Sequence, residues 1–225
     1  MIILFDLDGT VLTFDGGPPG PGRAALDRAM RELHGHEDAT EGLRLAGGTD
    51  IALARALLRK VGADDGADAI DRVLAAYVRH LEVVLTTRRY RPIGDVAGAV
   101  AECRARGACV GVGTGNVRDG ARLKLASARL EAVFDLDRGG YGGDAEPRDG
   151  VLRAAVARCA AHGDAGRVVV VGDTEHDVRA ARAIGARAVG VAHSPGARAE
   201  LHAAGADAIV DECGGALVAA IFATA

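Results

Sequence analysis

Tryptophan is absent from the 225-residue chain, aromatic side chains make up 3% of it, and of its 27 basic residues only Lys60 and Lys124 are lysines. A core without large aromatic rings must be filled by Val, Leu, Ile and Ala, the residues that a parallel sheet covered by helices uses. The arginines are scattered among acids and the formal net charge is −4. No basic block exists to follow a nucleic-acid backbone, so no nucleic-acid partner is expected. The four cysteines, Cys103, Cys109, Cys159 and Cys213, form no CxxC pair and have no histidine at metal-site spacing, which argues against a zinc centre or a disulfide framework. No run approaches the ~20 apolar residues that cross a bilayer. No basic stretch or small-residue cleavage site marks the start as a secretory signal, so a cytoplasmic protein without a membrane partner is expected.

What is there is ordinary in bulk, 49% hydrophobic and 26% charged, and long enough for one substantial core with a smaller module attached. Ile2-Ile3-Leu4-Phe5 is a short apolar run ending at Asp6, as in a buried parallel strand. Asp15 to Gly22 is rich in Gly and Pro and reads as a linker. Three groups of apolar residues then recur at helical spacing: Ala25 to Leu33, Ile51 to Leu58 and Ile70 to Leu81. A second interruption at Arg91-Pro92-Ile93-Gly94 opens a region in which strands at Cys109, Val168, Ala188 and Ala208 alternate with helices. Alternation of this kind predicts an α/β fold with a doubly wound, Rossmann-like parallel sheet. The predicted division is a core of residues 1–14 and 92–225 and an inserted α-helical cap of residues 15–91, with flexible junctions that let the cap open and close.

Ligands of open α/β sheets sit beyond the carboxyl ends of the strands. Three predicted strands end there in polar groups: Asp6-Leu7-Asp8-Gly9-Thr10, Thr114-Gly115-Asn116, and Gly172-Asp173-Thr174 with Asp177. Asp6, Asp8, Asp173 and Asp177 in one crevice would repel one another unless a cation neutralised them. Carboxylates without His or Cys favour Mg²⁺. Aspartate can also act as a nucleophile through an aspartyl-phosphate.

The segments LFDLDGTVL, VGVGTGN and VVVVGDTEHD, in that order, resemble three of the four signature motifs of the haloacid dehalogenase superfamily. The helical insert resembles the cap of its phosphoglycolate phosphatase-like subgroup. The resemblance implies a Mg²⁺-dependent phosphatase of small phosphorylated metabolites, with a monomer or homodimer expected. A phosphomutase, or an impaired phosphate-binding homologue, is the alternative. It implies Asp6 as nucleophile and metal ligand, Asp8 as general acid/base and metal ligand through its main-chain carbonyl, and Asp173 and Asp177 as the acids of the metal motif. It also makes Thr114 the hydroxyl that holds the transferring phosphoryl, with Gly115 and Asn116 as donors beside it and Thr10 fixing the loop. The loop Gly47-Gly48-Thr49-Asp50, with Arg44 before it, resembles the cap segment that selects substrate, which makes Arg44 and Thr49 candidate contacts.

The fourth motif departs from the pattern, because Glu146 stands where relatives carry a lysine. Arg148 is the preferred replacement. Lys124 is its rival, placed ~10 Å along its helix from the catalytic end at 1.5 Å per residue.

Overall fold

A computed structural model describes residues 1–192 and 195–223. Five parallel strands form the central sheet: β1 (Ile2–Phe5), β4 (Cys109–Val112), β5 (Val168–Gly172), β6 (Arg187–Val191) and β7 (Ala208–Val210), in the order β4-β1-β5-β6-β7. Their helices are α4 (Val96–Ala105), α5 (Arg118–Ser127), α6 (Arg148–Ala161), α7 (Glu175–Ala183), α8 (Pro195–Ala203) and α9 (Gly215–Phe222).

Both sheet faces are dry, which explains the unbroken apolar runs in its strands. Alternate residues enter two separate cores: Ile3, Phe5, Val169 and Val171 join one cluster, while Ile2, Leu4 and Val170 join the other. The first cluster continues into the insert through Leu26, Met30, Leu57 and Tyr77. All four cysteines are buried, and the Cys109 and Cys159 sulfurs lie 3.0 Å apart across β4 and α6.

The insert holds α1 (Pro21–His34), α2 (Asp50–Lys60) and α3 (Ala67–Val84), matching the three groups of helical spacing. Its junctions differ from the expectation. Leu12–Phe14 (β2) and Tyr90–Pro92 (β3) pair antiparallel, Phe14 opposite Tyr90 and Leu12 opposite Pro92. The Pro at position 92 is tolerated because this two-stranded ribbon has edges on both sides. The helices therefore rise from a paired stem.

Candidate active site

The sharp loop after β1 collects the acids. The Asp6 amide donates to the Val171 carbonyl at 2.9 Å, and the Thr10, Val11 and Leu12 amides all converge on the Leu7 carbonyl. Gly9 turns the chain at φ +82°, and a Cβ there would lie 2.1 Å from an Asp173 carboxylate oxygen. A side chain at this position is thus excluded both by conformation and by contact with the neighbouring acid.

Asp6, Asp173 and Asp177 present carboxylate oxygens within 4.8 Å of one another. Asp177 Oδ2 accepts from the Thr174 amide (3.1 Å) and hydroxyl (2.7 Å) at the start of α7, so capping and site building share one residue. Thr10 Oγ1 donates to Asp173 Oδ1 at 3.3 Å. Burial pushes the Asp6 carboxyl up to about 6, with Asp177 and Asp8 adding repulsion that Arg148 only partly offsets. Burial and the same neighbours raise Asp173 as well.

Arg148, at the first turn of α6, places Nη2 2.8 Å from Asp6 Oδ1 and 2.6 Å from Asp177 Oδ1. These approaches pair charge without hydrogen-bond alignment: Arg148 Nε, Arg148 Nη2 and Asp177 Oδ1 are buried with no hydrogen-bond partner among the described residues. Buried polar atoms are seldom left so. Unsatisfied guanidinium hydrogens beside a carboxylate are suited to an oxyanion.

Lys124 departs from the expectation. Its Nζ lies 2.6 Å from Asp8 Oδ2 and 2.5 Å from Asn116 Oδ1, and the residue is 5% exposed. Distance along the axis misleads here because a long helical side chain leans back toward the N-terminus and spans more than a turn. Both cations therefore reach the site, Arg148 at Asp6 and Lys124 at Asp8. Asn116 Nδ2 donates to Asp8 Oδ2 and to Thr114 Oγ1, each at 2.8 Å, tying the second motif to the first. Burial alone would raise the Asp8 carboxyl. The Lys124 charge, with hydrogen bonds from Lys124, Asn116 and Tyr90, outweighs it and holds the group below the usual carboxylate range.

The insert closes over this crevice. The Asp50 amide donates to the Gly115 carbonyl at 2.7 Å, and the Asp50 carboxylate accepts from the Val117 amide at 2.8 Å. Burial raises the Asp50 carboxyl to about 6 despite the Lys124 charge and the Val117 bond. Gly47, at φ +76°, lies so close to His176 that a Cβ would meet the ring at 2.3 Å. Glu146 explains its own presence, since its carboxylate takes three contacts of 3.1 to 3.2 Å from Arg55 of α2.

Arg44 and Thr49 do not meet the acids. Arg44 faces Glu175 and Glu200 with its side chain 60% exposed. The Thr49 hydroxyl donates to the Glu146 carbonyl at 2.8 Å and caps α2. Both belong to the cap's docking contacts, because their polar atoms are already used there. Asp6, Asp8, Thr114, Gly115, Asn116, Arg148 and Asp173 all line one cavity of about 290 Å³, whereas Thr10 is fully buried and reaches it only through its bond to Asp173. Asp50, the last residue of the loop expected to select substrate, also lines the cavity, as do Tyr77 and Tyr90, which were not anticipated. Asp50 had a visible signal, its place at a helix start opposite the second motif. The tyrosines had none, since both lie in segments read as ordinary core or junction.

An α/β protein with a doubly wound parallel sheet and a carboxylate cluster at the carboxyl ends of its strands is thereby defined. The model of the haloacid dehalogenase-like hydrolases matches residues 1–185, and the chain belongs to that family. The chain is 27% identical over 216 residues to the "Probable phosphatase IndB" of Dickeya dadantii, covering 93% of this chain and 89% of that one. The fold is similar to a haloacid dehalogenase-like family protein of Streptococcus pneumoniae, with a TM-score of 0.63, 18% identity and coverage of 99% and 98%. It is also similar to CbbY of Rhodobacter sphaeroides solved with phosphate, with a TM-score of 0.64, 18% identity and coverage of 94% and 93%. Among the described residues no helix is long and apolar enough to cross a membrane.

Proposed function

We propose that the protein hydrolyses small phosphomonoesters with Mg²⁺ through an aspartyl-phosphate on Asp6. The observation that carries this reading is the convergence of Asp6, Asp8, Arg148 and Thr114 on one cavity whose charge is unbalanced. Asp6, Asp8, Asp50, Asp173 and Asp177 face Arg23, Lys124 and Arg148, five acids against three cations, and the excess of two is the complement of a divalent cation. The donor set is all oxygen, as Mg²⁺ requires. Asp6, Asp173 and the Asp8 carbonyl would hold the ion, with Asp177 alongside, and when bound it supplies the positive charge that lets an anionic phosphoryl group approach a carboxylate.

In the first step an Asp6 carboxylate oxygen attacks phosphorus, the bond to the alcohol oxygen breaks, and that oxygen takes a proton from Asp8 in the fraction of molecules in which the carboxyl is protonated. In the second, Asp8 takes a proton from water, the water oxygen bonds to phosphorus, and the acyl-phosphate bond breaks to return Asp6 and release phosphate. Arg148 and the Thr114 hydroxyl stabilise the phosphoryl oxygens. Asn116 and Lys124 hold the Asp8 carboxyl in place.

Phosphate release from a panel of small phosphomonoesters at pH 7 tests the reading. Release is expected with Mg²⁺ and lost with excess EDTA, and Mg²⁺ should raise the melting temperature by relieving the carboxylate repulsion. Transfer of the phosphoryl group to another hydroxyl without free phosphate would favour a mutase. Equal release in EDTA would remove the metal.

Lys124→Met keeps the length of the side chain and removes the charge that holds Asp8 low. The Asp8 carboxyl then rises, and the limb of the pH profile of kcat/KM that it sets should move to higher pH. An unmoved limb would take Lys124 out of the control of Asp8.

A further inference from the structure

Aromatic residues are scarce in this chain, four Phe and three Tyr with no Trp, yet Phe14, Tyr77 and Tyr90 all line the active-site cavity. Leu26, Leu45 and Leu53 complete its apolar wall. The placement is set by the stem of the insert. Phe14 and Tyr90 are register partners of β2 and β3, and their rings meet edge to face at 6.2 Å and 83°. The strand ladder thus holds aromatic surface beside the catalytic acids; Lys124 Nζ lies over the Tyr90 ring at 5.5 Å and Tyr77 is almost fully buried, so a flat or ring-shaped partner would meet Phe14 and the leucines.

Charge in the same cavity is arranged against a second anion. Three cations line it, two of them paired with acids and the third, Arg23, held by main-chain carbonyls. Arg148 faces Asp6 and Asp177, and Lys124 bonds Asp8 and Asn116. Arg23 donates to the carbonyls of Thr40 and Leu43 at 2.5 and 2.9 Å, holding the cap segment that leads to Gly47. Beyond the phosphoryl position the cavity presents the carboxylates of Asp8 and Asp50, which would oppose any further negative charge. A carboxylate or second phosphate on the leaving group would lose its water beside those two carboxylates. At about 290 Å³, the space lies at the lower end of the ~300–1,000 Å³ typical of small-molecule sites. That is room for a phosphoryl group and one ring.

We infer that the substrate is the phosphomonoester of an uncharged alcohol bearing a single ring, which excludes phosphorylated carboxylic acids and bisphosphates from efficient turnover. This inference rests on the phosphatase reading above for the identity of the phosphoryl end.

Non-hydrolysable probes separate the two. With Mg²⁺ present, calorimetric titration of benzylphosphonate and phosphonoacetate compares a neutral ring with a carboxylate on the same phosphorus anchor. Benzylphosphonate is expected to bind at least about tenfold tighter, the return from burying a ring in an apolar site. Leu53→Ala and Phe14→Ala should each weaken benzylphosphonate by roughly three- to tenfold and leave phosphonoacetate unchanged. Two variants on different elements guard against one that disturbs the cap. Equal or tighter binding of phosphonoacetate, or equal weakening of both probes in both variants, overturns the inference. Phosphate release from monoesters is measured separately on the same samples. Release without the binding preference removes the substrate class and keeps the phosphatase, whereas the binding preference without release from any ester keeps the ring-selective site and removes the phosphatase.

Discussion

Asp6→Asn should abolish phosphate release, by at least about 10⁴-fold in kcat, as expected when the nucleophile of a covalent mechanism is removed. The amide is nearly isosteric with the carboxylate, so the loop after β1 keeps its backbone bonds. Stability should move the other way from activity. The Asp6 carboxyl is raised to about 6 in the folded chain from an ordinary value of 3.8. Its contribution to stability is therefore present below about pH 4 and lost as the pH rises through about 6. At pH 7 without metal the ionised group opposes folding, and the neutral amide relieves it. Thermal melts in EDTA should show Asp6→Asn melting no lower than the parent at pH 7, with the difference vanishing near pH 4. Residual turnover within tenfold of the parent would move the nucleophile elsewhere.

Arg148→Ala should lose both activity and stability. Removing a buried cation from between Asp6 and Asp177 leaves two buried carboxylates facing each other, and breaking a buried pair from one side costs about 3–5 kcal/mol. Loss of the guanidinium from the phosphoryl position should lower kcat by roughly 10²–10³-fold, as for an oxyanion donor. Arg148→Lys separates the two roles. It restores a positive charge, so most of the stability should return. Chemical denaturation in EDTA reads the first effect and phosphate release in Mg²⁺ the second. An Arg148→Ala protein with parental kcat would leave the arginine a purely structural ion pair.

The acids proposed to hold the metal and the arginine compete for the same charge. Arg148 already neutralises part of the Asp6 and Asp177 pair, and this makes the cluster tolerable while leaving it net negative. A site neutralised completely by protein cations would have little affinity for a divalent ion, and one without Arg148 would be strained in the metal-free state.

Strand ends, motif order and the three cap helices were legible from the amino-acid order alone, because each rests on local pattern. An apolar run that stops at Asp6, apolar spacing of helical period, and a DxDGT loop whose glycine must turn left-handed all act within a few residues. Charge count likewise pointed to a cation without any coordinates. Side-chain reach and pairing across the fold were decided only by tertiary packing. Distance along its helix ranks Lys124 behind Arg148, yet its side chain leans back to Asp8. Arg44 and Thr49 were placed on substrate, yet Glu175, Glu200 and the Glu146 carbonyl take their polar atoms. The junction at Arg91 and Pro92 was read as loose, yet pairing with β2 makes it a stem and sets Phe14 against Tyr90. Local order determines what a segment can form. Which long side chain meets which acid depends on distances across elements far apart in the chain, and those exist only once the sheet and the cap have packed.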